Sequence, residues 1–520
     1  MDEQFEKLIS HSGGYGKYQI IILIIAFFTW FSLAIHSTSL PMLEKVPLVS
    51  YINEEGERIE DNLNYDICQK EYTIIKNYKY SWIIELNISC IEAEVGLLGS
   101  FTFAGLTCGC FLFSLITKYI HYKPIIIISI FCYVFFLFLT TIINNYYFRL
   151  FCLIPLGIAN GLGLFSSLTL INESVCSKKR SLFGSILNIG YSICPIIYTP
   201  LYAILGNWRF VFWFENIVAL TCGFMFIIIL EDSPRTYFIK DKKEEGVNIL
   251  KRIASFNGKS EEFEKIIKSK EFEDFLKKND EEIKNSKIET KTKYGYYDLI
   301  KYPSIRYKFI IFSFMFMSTN FLTNSVVINT KSMIGNMYIN IMTLYFTEII
   351  GSLSSGFIIN IPRLGRKKSI MIFYCGIILG FILYLLFYNF GFNPWALLGA
   401  MIIIRYSITG VYNTFYVFFM ESYPTPVRAL GFGLNSTFGN LAGIISPIVI
   451  EYVHIYILYS IFLVICCINC LLTFFLKETV GKAMRDTIDD ITDIISIEED
   501  TLVPSEEKNN DNLEKEEKNT

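Results

Sequence analysis

The sequence predicts an all-α membrane protein, with twelve transmembrane helices in two pseudo-symmetric six-helix halves. Three observations carry that expectation: an apolar composition, twelve long apolar runs, and loop residues that recur from one half to the other. Of 520 residues, 52% are hydrophobic and only 18% charged, with a mean hydropathy of +0.41, whereas soluble domains carry about 25% charged residues. Roughly 270 apolar residues, at about 20 per crossing, suffice for about twelve spans. The 46 basic and 49 acidic residues leave a net charge of −3, so the concentrated basic surface demanded by a nucleic-acid partner is missing.

The apolar runs stand at 20–41, 95–116, 124–143, 147–171, 182–205 and 208–230, then at 309–328, 334–361, 370–390, 395–420, 430–450 and 455–476. Each is long enough to cross about 30 Å of hydrocarbon as a helix, which satisfies its own backbone as lipid requires. The first run exceeds the apolar core of a secretion signal, about 7–15 residues, and reads as a retained helix. Lys118, Lys123, Lys178, Lys179, Arg180, Arg363, Arg366, Lys367, Lys368 and Arg428 fall in alternate loops, which places those loops and both termini on the cytosolic side. The chain thus divides into a cytosolic segment 1–19, a six-helix bundle 20–230, a cytosolic linker 231–303, a second bundle 304–476 and an acidic tail 477–520 expected to be disordered. The linker carries a charged helical pattern over 244–257. The loop 44–92 faces out and holds Cys68 and Cys90, the only two of 13 cysteines on that side; oxidising surroundings there permit a disulfide between them. Asn87-Ile88-Ser89 is a glycosylation sequon close to the second run.

The loops reveal a duplication. Glu173 precedes Arg180 by seven residues after the fourth run; Glu421 precedes Arg428 by seven after the tenth, and stands 248 residues beyond Glu173. The basic turn at 118–123 is matched at 363–368, and Glu231-Asp232-Ser233 after the sixth run is echoed by Lys477-Glu478-Thr479 after the twelfth. A repeated six-helix unit is the plan of many secondary transporters, whose solute site lies near mid-membrane between the halves.

Several runs carry a family likeness: Trp208-Arg209-Phe210, Asp232-Ser233-Pro234-Arg235, Asn257-Gly258-Lys259, Gly335-Asn336-Met337-Tyr338, Arg363-Leu364-Gly365-Arg366, Glu421-Ser422-Tyr423-Pro424-Thr425-Pro426-Val427-Arg428, and Gly443-Ile444-Ile445-Ser446-Pro447. Through them residues 15–482 resemble the major facilitator superfamily and, within it, the branch that carries organic cations, organic anions and carnitine. The resemblance implies the major facilitator fold, a small organic solute as partner beside the bilayer, no cofactor, and a monomeric functional unit. It also implies a cytosolic gate built from Glu173, Arg180, Arg363, Arg366, Glu421 and Arg428. Two departures stand out: Lys118-Tyr119-Ile120-His121-Tyr122-Lys123 replaces the family's acid–Arg–x–Gly–Arg turn, and Pro362 stands where the second copy has its acid. In the fourth run the family's Arg falls at about Leu153, one turn from Arg149.

Ionisable residues inside apolar runs are the most informative, because a charge at mid-membrane costs about 2.5–3.5 kcal/mol even on the lenient scale. Glu348 lies about 21 Å and Arg405 about 15 Å from the outer ends of their runs at 1.5 Å per residue, so the two can meet across a cavity. One reading makes them a structural ion pair; the other makes Glu348 the group that attracts solute and Arg405 the group that tunes or releases it, as the resemblance implies. Glu215 reads as shallow or structural. Asn188, Thr323, Asn324, Asn413 and Asn440 fall where the family's cavity helices carry polar groups, although membrane bundles also use Asn and Thr for packing. Phe31, Phe165 and Tyr412 are candidates to stack on an ammonium. Asn440 takes a position where cation carriers have Asp and anion or carnitine carriers have Arg, and Ser352 stands where anion carriers have Lys. An anionic solute is therefore disfavoured.

The function expected is facilitative, alternating-access transport of organic cations or zwitterions at the plasma membrane. The run 20–41 holds no carboxylate of the kind proton-coupled relatives place there, which favours uniport. A sugar or polyol porter is the alternative, though the stretch 317–328 lacks the paired Gln of that group. A non-transporting nutrient sensor would need a structured tail. A membrane-embedded enzyme would need an acid–base or metal constellation, and the four histidines are scattered.

Overall fold

The computed structural model describes residues 8–52, 57–63, 65–76, 81–117, 119–239, 242–269, 272, 297–331, 333, 335–359, 361, 364–423 and 425–479. The tail after 479 and the linker stretch 273–296 lie outside the described residues. Twelve helices among those described are long and apolar enough to cross a membrane. They are α1 (Lys17–Thr38), α2 (Glu92–Ile116), α3 (Tyr122–Ile142), α4 (Tyr146–Ser174), α5 (Ser177–Leu205) and α6 (Trp208–Ile229), then α7 (Pro303–Ile328), α8 (Met337–Ile359), α9 (Gly365–Asn389), α10 (Pro394–Ser422), α11 (Thr425–Tyr452) and α12 (Ile455–Phe474). Helices overrun the apolar runs where polar ends suit the interface. Thus α7 starts six residues before its run, with Pro303 at a first position that needs no N–H donor and Arg306 and Lys308 in its opening turns.

Packing repeats from half to half. In the first, α1 lies on α5, α2 and α3 on α4, and α3 on α6; in the second, α7 lies on α11, α8 and α9 on α10, and α9 on α12. The halves meet through the equivalent pairs α2–α11 and α5–α8. The tight α2–α4 crossing depends on facing small residues: a Cβ on Gly157 would stand 2.6 Å from the Thr102 carbonyl, and one on Gly161 would stand 2.9 Å from that of Leu106.

Between α1 and α2, β1 (Leu48–Ile52) pairs antiparallel with β2 (Arg58–Asn62) and β3 (Tyr72–Lys76) in the order β2-β1-β3. Cys68 and Cys90 are disulfide-bonded beside it. A short helix, Trp82–Glu85, plugs this segment into the first half. Trp82 is fully buried, with its ring centroid 5.8 Å from that of Trp208 and 5.9 Å from that of His36. Glu85 accepts from Trp208 Nε1 at 3.0 Å and is ion-paired to Arg209, which gives the Trp208-Arg209 run its physical role. Arg149 is fully buried, 3.6 Å from Glu85, with its guanidinium over the Trp82 and Trp208 rings.

Between α6 and α7, the charged pattern in the linker forms the helix Lys243–Phe256, burying Ile249, Leu250, Ile253 and Ala254. Asn257 ends it and clasps the start of α1: its Oδ1 accepts from the Tyr18 N–H at 2.9 Å, and its Nδ2 donates to the Ser12 carbonyl at 2.9 Å and to Gln19 Oε1 at 3.2 Å.

Candidate functional site

The helical rise that puts Glu348 on α8 and Arg405 on α10 at similar depths brings them together. Arg405 Nη2 donates to Glu348 Oε2 in an ion pair whose side chains are 4% and 19% exposed. The guanidinium also lies over the Tyr345 ring, 5.3 Å from its centroid. Among the described residues its Nε and Nη1 are buried with no hydrogen-bond acceptor. Its helix α8 packs on α5 across the halves, and Glu348 is within electrostatic reach of Tyr191 on α5 and Tyr412 on α10. Tyr191 shares a hydrogen bond of 2.9 Å with Ser37, and Tyr412 accepts one of 3.0 Å from Tyr416.

The polar candidates divide by what they touch. Asn440 on α11 donates to Cys110 Sγ on α2 at 3.2 Å, across the halves. Asn413 donates to Ser355 Oγ at 2.9 Å, tying α10 to α8. Asn324 lies against Gly443, where a Cβ would meet its Nδ2 at 3.0 Å. Asn188 is exposed. The Thr323 hydroxyl is satisfied by the Thr319 carbonyl at 2.8 Å on its own helix, an arrangement that serves α7 itself. Phe31 is a core residue, 5% exposed in the cluster that holds Trp82, and Phe165 packs at a tilt against Phe113, with ring centroids 6.0 Å apart. Tyr412 packs 5.6 Å from Phe316. Glu215 has a structural place: it is fully buried and accepts from the Tyr133 hydroxyl.

At the ends of α4 and α10 the two copies of the loop motif are held alike. Glu173 accepts from Ser233, Tyr122 and Thr236. Glu421 accepts from Thr479 at 2.6 Å and pairs with Arg366 at 3.0 Å. Tyr122 therefore stands where the second half uses Arg366. The echoed acids also cap equivalent helices: Glu478 accepts from the Arg366 and Lys367 N–H groups at 3.0 Å at the start of α9, and Asp232 from the Lys123 N–H at 3.4 Å at the start of α3. Burial pushes the Asp232 carboxyl up against the opposing pull of the Ser233 and Lys123 amides. Arg363 and the side chains of Arg180 and Arg428 lie outside the described residues.

One cluster was missed by reading charges inside apolar runs. Lys331, just past α7, pairs with Glu44 beyond α1 at 3.0 Å and with Glu451 near the end of α11. Its signal is weak: three charges at run ends, each just past or at the C-terminal end of its helix.

A family-wide sequence profile, Major Facilitator Superfamily, matches residues 22–447. The chain is 24% identical over 427 residues to the organic cation transporter protein of Drosophila melanogaster, covering 79% of this chain and 74% of that one. It is 21% identical over 491 residues to organic cation/carnitine transporter 4 of Arabidopsis thaliana, covering 93% and 90%. Its fold is similar to a partially occluded, inward-open structure of the xylose transporter XylE from E. coli, with a TM-score of 0.62 at 12% identity over 88% of this chain and 99% of that one. Twelve helices in two matching halves, repeated loop motifs and these likenesses together place the chain in the major facilitator superfamily, to which it belongs, on the side of its organic cation transporter-like branch.

Proposed function

We propose that this chain is a facilitative, alternating-access transporter of small organic cations or zwitterions, with Glu348 as the carboxylate that draws the cationic group. The carrying observation is that a charged pair sits deep in the membrane at the junction of the halves, where a purely structural role would be served more cheaply by apolar packing. Arg405 restrains Glu348 until solute competes for it, and its two buried donors suit the carboxylate of a zwitterion. Asn440 and Asn413 supply neutral hydrogen-bonding groups nearby, and Asn188 and Asn324 complete the polar set. Names of the relatives favour the same solute class, and the XylE likeness speaks for the fold alone. Uniport at the plasma membrane, with cytosolic termini and a monomeric working unit, is part of this reading. A cation would then be driven by the membrane potential at about 2.3 kcal/mol per charge per 100 mV.

The test is uptake of radiolabelled tetraethylammonium, carnitine, a dicarboxylate and a hexose by cells expressing the protein. Tetraethylammonium or carnitine uptake is expected, and Glu348→Gln should cut it at least tenfold with surface expression intact. Hexose uptake alone, or normal cation uptake by Glu348→Gln, rejects the reading.

A further inference from the structure

The outer face is where the halves are joined most tightly. Glu44 and Lys45 end the α1 segment of the first half; Lys331 and Glu451 end α7 and α11 of the second. Glu44 is fully buried, and the Lys331 ammonium lies 3.0 Å from its Oε2. Glu451 holds the same ammonium from within its own half, and Lys45 donates to the Lys331 carbonyl. Beside this cluster α2 and α11 are in backbone contact: a Cβ on Gly96 would stand 2.9 Å from Ile448 Cα, and one on Gly99 would stand 2.8 Å from Pro447 Cβ and 3.3 Å from Glu44 Oε1. Ser100 Oγ donates to the Ile444 carbonyl at 2.6 Å across the same seam. Two independent sets of contacts therefore close the outer mouth, one ionic and one of close packing.

These contacts are unequal in what they need. Packing at glycine re-forms whenever the helices meet. A carboxylate buried at the seam is different: stripped of water, it is strongly disfavoured unless a cation meets it, and the cation comes from the opposite half.

We propose that Lys331 is the outer gating residue: its ammonium neutralises Glu44 across the seam, Glu451 aims it, and without it the outer mouth cannot stay closed. This rests on alternating access, in which the outer ends of the halves must part and rejoin, and is independent of which solute is carried.

The test uses full-length protein in intact cells with Ser100→Cys as reporter, read with the membrane-impermeant reagent MTS-ethyltrimethylammonium. Modification is taken as the difference from the same variant without the introduced thiol. Lys331→Met should raise the external modification rate at least fivefold, because Glu44, left without its cation, favours water. Adding Glu44→Gln should return the rate to within twofold of the parent, since the seam is neutral again. Lys331→Arg keeps the charge and stays slow. Glu44→Lys, which sets a like charge against Lys331, should open the mouth by an independent route and keeps the test decisive should Lys331→Met fail to reach the surface. An unchanged rate in Lys331→Met or Glu44→Lys, or a double variant as fast as the single, overturns the proposal. The modification rate requires no transported solute, so it stands apart from the uptake assay of Glu348.

Discussion

The hydroxyl of Thr479 donates to the carboxylate of Glu421 at 2.6 Å. The same bond recurs in the first half from Ser233 to Glu173, so the hydroxyl after the last helix of each half is tied to the acid in the last turn of its fourth. Thr479→Ala and Ser233→Ala should each destabilise the protein by about 1.5–3 kcal/mol, the usual worth of a hydrogen bond to a charged group. The sites lie in separate halves, so their effects should add. Glu421→Gln should cost more than Thr479→Ala, because Arg366, 17% exposed, loses its anion as well. Thermal unfolding of purified protein in detergent measures all four; a double variant no worse than either single would deny the equivalence.

The plug formed by Trp82–Glu85 makes a sharper demand. Arg149 is fully buried, and Glu85 is its ion-pair partner. Removing one member of a buried pair costs about 3–5 kcal/mol, whereas replacing both with apolar groups is often neutral. Glu85→Ala should therefore lower the unfolding temperature markedly, and Glu85→Ala with Arg149→Met should recover much of the loss. The recovery is partial because Arg209 also loses Glu85. No recovery would mean that Arg149 is held by its tryptophans rather than by charge.

What could be read from the chain follows from the range of each interaction. The helices are local, since any 20-residue apolar run has one solution in lipid. Glu348 and Arg405 were legible because a charge inside such a run is rare and helical rise fixes its depth. The echo of Glu231-Asp232-Ser233 in Lys477-Glu478-Thr479 was visible, but its reason was not. Asp232 and Glu478 cap helices more than a hundred residues earlier, a contact with no periodicity to betray it. Trp82 sits in a polar loop where nothing marks one aromatic as a plug. Glu44, Lys331 and Glu451 look like ordinary interfacial charges, and only the meeting of three helix ends from two halves sets them apart. Phe31 shows the converse limit: in a chain with 46 Phe, an aromatic in a cavity helix is mostly core.

External pH supplies the last prediction. In the closed form the Glu44 carboxyl is pushed up to about 7 from its ordinary 4.5, because burial outweighs the attraction of Lys331 and the nearby Glu451 carboxylate adds to the rise. Lys331 from α7, Glu451 from α11 and Lys45 on its own segment are the charged groups gathered there. When the mouth opens, water restores Glu44 toward 4.5, so the closed form binds more protons than the open form between those values. Linkage then fixes the sign: acidifying the outside from pH 7.5 to 5 favours the closed mouth, by at most about tenfold per pH unit. External modification of the Ser100→Cys reporter should slow over that interval, after correction for the reagent's own pH dependence. In Glu44→Gln, which has no proton to gain, the slope should vanish. Faster modification in acid, or a slope that survives Glu44→Gln, would assign the titration to another group.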